Sequence, residues 1–242
     1  MIPIFTSHYS IGKSILTLGS PGDNKEGASD SIFDIAKENN LEKIVLVENS
    51  LTGFPQALSI SIENKIDLVF GLVFLCEEQK HKVIVFANNS EGCKKLNLIF
   101  SQKDPETNSI TLSKLKENWS EDLTMAIPFY DSFLYKNLME FENCTPNLKY
   151  FKPTFFLEYN SLPFDSVIRS KVLEYSNVNN FKTEEVKSVR YKNKKDIESF
   201  QAYQCICSRK FGQSSLSNPG LDHFGSDEFC FESFKENQLQ PF

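Results

Sequence analysis

Ile66-Asp67-Leu68-Val69-Phe70-Gly71-Leu72-Val73-Phe74-Leu75 decides the class of fold. It is an almost uninterrupted apolar run of strand length, with Gly71 in its middle. Such runs fit strands buried on both faces, as in parallel sheets. The same reading extends to Lys43–Val47 and Lys82–Ala87, and to Leu123–Pro128, Thr154–Tyr159 and Val186–Tyr191. Helical patterns separate these runs. Ser29, Asp30 and Ser31 offer N-cap oxygens ahead of Ile32, Ile35 and Ala36. Pro55 opens a helix that continues to Lys65. Ser90–Ser101, Asp131–Phe141, Ser166–Tyr175 and Lys194–Ser208 complete the set. Alternating strands and helices predict an α/β fold. Polar stretches at Gly19–Gly27 and Gly212–Gly225 read as irregular loops. No internal repeat and no domain boundary stands out, so the expectation is one domain over residues 1–242.

The chain has 242 residues, of which 40% are hydrophobic and 24% charged, an ordinary globular balance. Its 22 Phe predict a core filled by large aromatic rings. The net charge of −6 lacks the basic excess of a free-standing nucleic-acid binder, so DNA is expected to be met only indirectly. Six scattered cysteines contain no CxxC pair; the CxC of Cys205 and Cys207 is read as packing. No basic stretch followed by an apolar run opens the chain, and no run approaches the ~18 apolar residues of a membrane span. A cytoplasmic protein with reduced thiols, not in contact with membrane, is therefore expected.

The motifs that carry chemistry are sparse. Gly12-Lys13-Ser14 lacks the upstream glycine of a phosphate-binding loop, because position 7 is Ser. There is no G-x-S-x-G. The histidines are His8, His81 and His223, and a lone histidine is most often a surface or core residue. Read from its residues alone, the chain is an acidic α/β domain with no evident active site.

Several short segments, in order, nevertheless resemble the PHP domain that opens the α subunit of bacterial DNA polymerase III. Phe5–Leu16, with His8 and Ser10, looks like the family's H-x-H-S-x-Y-S-x-L-D. Val45–Gly53 looks like its T-D-H-x-x-L-x-G, and Ile66–Val73 like I-K-P-I-x-G-x-E. Val85–Leu96, with Ala87, Asn89 and Gly92, resembles L-L-A-x-N-x-x-G-Y-x-N-L and is the most specific match. Phe156–Glu158 resembles a Y-L-E-L strand. Val189–Tyr191 with Asp196, Cys205 and Ile206 resembles N-D-V-x-Y and the helix after it, and Phe231–Glu236 resembles F-x-S-x-E-E.

The resemblance implies a distorted (β/α)7 TIM-like barrel whose active members hold up to three divalent metals at the C-terminal strand ends and hydrolyse phosphoesters. Carried over residue by residue, the metal positions fall on His8, Ser10, Thr17, Asn49, Val73, His81, a place near Phe129, Ser188 and Arg190. Glu48 replaces an acid that is usually second shell. Two imidazoles cannot neutralise a multinuclear cation cluster, and Arg190 sets a fixed positive charge among the ligand positions. The expected metal site is therefore vestigial, with no cofactor; if one were held, it would be Zn, Mn or Mg.

The expected function is that of a catalytically inactive PHP-like domain supporting a bacterial or phage replicative polymerase, either stand-alone or as the N-terminal part of a longer polymerase chain. Its expected partners are the polymerase core and other replisome subunits such as a proofreading exonuclease. The alternative is a metal-dependent phosphoesterase or 3′–5′ exonuclease with a rearranged site. Lys182, Lys187, Arg190, Lys192, Lys194 and Lys195 lie close together in sequence. This run reads mainly as a solvated helix start. Its sharper reading is a contact from Lys192, Lys194 and Lys195 to DNA or a partner.

Overall fold

A computed structural model of the chain describes residues 1–22, 29–76, 81–208 and 225–239. His223, most of the Gly212–Gly225 stretch and part of Gly19–Gly27 lie outside them. The fold is mixed α/β and divides into two compact units.

The first unit comprises Met1–Leu68, Tyr159–Leu162 and Val186–Phe242. It carries β1 (Ile2–Phe5), α1 (Ile32–Glu38), β2 (Lys43–Glu48), α2 (Phe54–Asn64), α7 (Ile197–Ser208) and α8 (Phe231–Leu239). Its sheet is parallel. β1 aligns Ile4 with Val45 and Phe5 with Leu46 of β2. On its other side, Ile2 through Phe5 pair with Val186 through Val189, the second half of β8 (Lys182–Val189). The helix ends follow local chemistry. The Ser31 hydroxyl accepts the Phe33 N–H and so satisfies one of the donors left open at the start of α1. Pro55 occupies the first turn of α2, where no N–H is needed, and Lys65 closes that helix in the left-handed conformation at φ 55°. The aromatic core expected from composition is present here: Phe5 stacks on Phe231, and Phe231 on Phe234. Each such ring taken out of water contributes about 1.5–3 kcal/mol.

The second unit comprises Val69–Glu158 and Pro163–Glu185. It carries most of β3 (Asp67–Cys76), β4 (His81–Ala87), α3 (Ser90–Ser101), β5 (Ser109–Ile110), α4 (Leu112–Glu117), β6 (Leu123–Ile127), α5 (Phe133–Met139), β7 (Thr154–Leu157), α6 (Asp165–Asn179) and the first half of β8. The parallel expectation fails in part. β4 runs antiparallel to both of its neighbours, β3 and β6, whereas β6, β7 and β8 are mutually parallel. The reason lies in the spacing: only residues 77–80 separate β3 from β4, and a parallel crossover needs about a dozen. Phe133, Phe155, Tyr175 and Phe181 form one aromatic cluster under this sheet.

The glycine of the most specific sequence match has a steric cause. Asn89 caps α3 by accepting the Gly92 N–H at 2.9 Å. This brings Gly92 so near the main chain that an added Cβ would stand 2.3 Å from the Asp122 carbonyl oxygen. Backbone cannot swing aside as a side chain can. Gly92→Ala is therefore expected to lower stability by about 2 kcal/mol in urea unfolding, although alanine is the better helix former. An unchanged midpoint would show that α3 shifts freely. Among the described residues, no helix is long and apolar enough to cross a membrane.

Candidate functional site

Because β1, β2 and β8 run parallel in the first unit, their C-terminal ends meet at one edge. Such edges are where ligands bind in α/β folds. Three groups of residues follow those ends: Ser7 to Ser10 after β1, Glu48 and Asn49 at the end of β2, and Arg190 after β8.

Glu48 organises this edge. Its carboxylate is buried and accepts the Ser7 N–H at 2.8 Å on Oε1 and the Ser10 hydroxyl on Oε2. The Ser10 oxygen in turn accepts the Asn49 N–H at 2.9 Å. Burial raises the Glu48 carboxyl above its ordinary value, against the hydrogen bonds from Ser10 and Ser7 that lower it. The arrangement is a closed loop of donors and acceptors tying the first strand's exit to the second's.

His8 lies beside this loop in sequence. Its N–H donates to the Leu16 carbonyl at 2.8 Å, its ring lies 4.4 Å from that of Tyr9, and its buried Nδ1 has no hydrogen-bond partner. Thr17 is turned to structural work. Both its N–H and its hydroxyl donate to the Asp30 carbonyl, at 2.9 and 3.2 Å. Asn49 is exposed, and Ser188 sits within β8 opposite Ile4.

Arg190 is held by its own neighbourhood. Its guanidinium donates to the Lys13 carbonyl at 3.2 Å and lies 5.4 Å from the Phe229 ring centroid, within cation–π range. Its carbonyl accepts the Ile15 N–H at 3.1 Å and the Ser14 hydroxyl at 2.8 Å. The Gly12-Lys13-Ser14 triplet thus belongs to a turn fastened to Arg190.

The other two named positions belong to the second unit. Val73 is a half-buried residue of β3, paired with Ile84. His81 opens β4 and is fully buried, with the Phe133 ring edge-on at 5.8 Å and neither ring nitrogen hydrogen-bonded. Burial, with the Lys136 charge as a smaller influence, lowers its pKa to about 4, so it is neutral at pH 7. Phe129 is a core ring. Among the described residues, no three of His, Cys, Asp and Glu converge closely enough to hold a metal together.

The basic run is neutralised from within its own unit. Lys192 pairs with Glu38 at 2.9 Å and Asp30 at 3.5 Å, and Lys194 with Glu236 at 2.7 Å and Glu228 at 3.2 Å. Lys195 is exposed. Lys187, which the sequence places with these solvated lysines, is instead buried. It donates to the Tyr159 carbonyl at 3.0 Å and to Glu228 at 3.2 Å. Nothing in the sequence marks Lys187, Glu228 or the Ser7 N–H as structural; Glu48 and Ser10 alone are pointed to by a motif.

No protein-family model matches the chain, and no curated protein matches it. Among solved structures, PsfC from Pseudomonas syringae PB-5123 is similar at 13% identity with a TM-score of 0.42. The similarity covers 65% of this chain and 66% of PsfC.

Proposed function

We propose that the chain is a catalytically silent PHP-like domain that supports a bacterial or phage replicative DNA polymerase of the polymerase III α type. It does so by packing against the polymerase core and docking other replisome subunits such as a proofreading exonuclease. The finer fold that goes with this reading is the distorted (β/α)7 barrel. The ordered set of seven sequence segments motivates it.

One observation carries the reading of the site. At the position of the family's second ligand histidine, Ser10 donates to Glu48, while Arg190 holds the turn at Lys13. Side chains that would face metal ions in an active member are committed here to bonds within the protein. A network of this kind stiffens an edge and fixes its shape, which suits a docking role. A cluster of dications would instead need several anionic or imidazole donors directed at one point.

Two measurements on the purified protein test the proposal. Co-purification with polymerase core or proofreading exonuclease subunits should give a defined complex by size-exclusion chromatography with light scattering. Phosphodiesterase and 3′–5′ exonuclease assays with Mn²⁺, Zn²⁺ or Mg²⁺ should show no turnover. Turnover that disappears in His8→Ala would overturn the proposal in favour of the metal-dependent phosphoesterase.

A further inference from the structure

The second unit contains a cavity of about 260 Å³ between residues 145–149 and the end of α6, lined by Tyr175, Asn179, Phe181 and the 145–149 segment. That volume is below the ~300–1,000 Å³ usual for drug-sized ligands, and so it suits a ligand no larger than about a mononucleotide. We propose that this cavity is a nucleotide-type site, which takes a planar heteroaromatic ring bearing an anionic group.

Four features select that chemistry. Tyr175 and Phe181 line the cavity as half-buried rings stacked on each other, at 28° with centroids 6.2 Å apart, and what they leave exposed is aromatic surface of the kind bases pack on. The two amides are half used in opposite senses. Asn147 accepts the Lys149 N–H through Oδ1 at 3.4 Å, which leaves its NH₂ as a donor. Asn179 donates through its NH₂ to the Tyr175 carbonyl at 2.9 Å, which leaves Oδ1 as an acceptor. A donor and an acceptor together match the edge of a base. Lys149 is exposed and makes no ion pair among the described residues, so its ammonium is available to an anion. Finally, the Tyr175 hydroxyl makes no hydrogen bond to a described residue, and burial raises its pKa.

The cavity wall is preformed. Residues 141–148 lack regular structure, yet the Asn137 amide clamps the Cys144 backbone at both its N–H (2.9 Å) and its carbonyl (2.7 Å). The whole connection from α5 to β7, residues 140–153, is long for a segment inside a compact unit, and such connections are usually functional or linkers. The proposal does not rest on the polymerase reading: it concerns the second unit alone, and its test can fail while replisome docking succeeds.

The test is calorimetric titration of the full chain with the four nucleoside 5′-monophosphates and with ribose 5-phosphate, alongside anisotropy with a labelled oligothymidylate. At least one mononucleotide should bind one-to-one with Kd at or below ~1 mM, and ribose 5-phosphate, which has no ring to stack, should bind more weakly. Lys149→Glu should weaken binding at least ~10-fold, the effect of losing one charge-assisted contact. Tyr175→Phe, which keeps the ring and removes the hydroxyl, should weaken it by less. Thermal unfolding of both variants should match the wild type. An oligonucleotide that binds tighter per site than its monomer would identify single-stranded nucleic acid as the source of the ligand, and equal affinity a free nucleotide; either outcome supports the site. No binding of any mononucleotide or oligonucleotide, or binding unchanged in Lys149→Glu, overturns it.

Discussion

Replacing Lys187 by alanine should lower the free energy of unfolding by about 3 kcal/mol, which ranks it among the most costly single substitutions in the chain. The side chain is buried, and its ammonium bridges the Tyr159 carbonyl and the Glu228 carboxylate. Burial raises the Glu228 carboxyl, but the charges of Lys187 and Lys194 outweigh it and hold the group below its ordinary value. Removing Lys187 leaves the Tyr159 carbonyl without this donor and, among the described residues, leaves Lys194 at 3.2 Å as the cation paired with Glu228. A cavity of four methylenes is left as well. Lys187→Met separates the two effects. It removes the charge as alanine does but keeps the bulk of the stem, and should cost about 1–2 kcal/mol less than alanine because no cavity is left. Urea unfolding at pH 7 measures both. An alanine variant within ~0.5 kcal/mol of wild type would mean that the bridge between β8 and residues 226–230 contributes nothing to stability.

This residue also shows where sequence reading stops. β8 reads Lys-Thr-Glu-Glu-Val-Lys-Ser-Val, with only Val186 and Val189 aliphatic, so neither periodicity nor hydropathy announces a buried lysine. The counter-charge stands 41 residues downstream, a distance over which sequence spacing carries no information. β1 was hidden for a different reason: it has four residues, and Pro3 sits inside it although it pairs on both sides. Proline donates no ladder hydrogen bond and normally argues against a central strand. The reversed direction of β4 was legible. Four residues between two strands leave no room for a crossover helix, and this outweighs the parallel direction that evenly apolar runs suggest. Within the site, Glu48 and Ser10 could be picked out because both stand at family positions. What they do could not, because a carboxylate bound by Ser7 N–H and Ser10 O–H depends on β1 and β2 ending side by side. The lysine run is visible in the sequence as a cluster of charges, but its ion pairs with Asp30, Glu38 and Glu236 are products of the tertiary fold.

The His81 imidazole should cost the protein about 2 kcal/mol of stability between pH 7 and pH 5, a contribution that His81→Phe should remove. His81 is buried against Phe133, and its pKa is lowered from 6.5 to about 4, first by desolvation and then by Lys136. A depressed histidine favours the folded state through its neutral form. Its contribution is complete above the unfolded value near 6.5 and is lost as pH falls through the folded value near 4. Each pH unit inside that window is worth about 1.36 kcal/mol, so the full loss is about 3 kcal/mol. The carboxylates with lowered values, Glu228 among them, act below their ordinary 4.5, and Glu48, whose value is raised, acts in the opposite sense. Glu48 acts above 4.5 and so overlaps this window, and it is the difference between wild type and His81→Phe across it that reports on His81. Phenylalanine is a planar ring one atom larger than imidazole, and it titrates nothing. It also removes two buried nitrogens that have no hydrogen-bond partner, so the variant should be more stable than wild type at pH 7 by about 1–2 kcal/mol. Urea midpoints measured from pH 4.5 to 7.5 decide the matter. If His81→Phe keeps the acid slope, or unfolds more easily at pH 7, the imidazole is not a neutral, unpartnered core group, and its nitrogens are satisfied in solution.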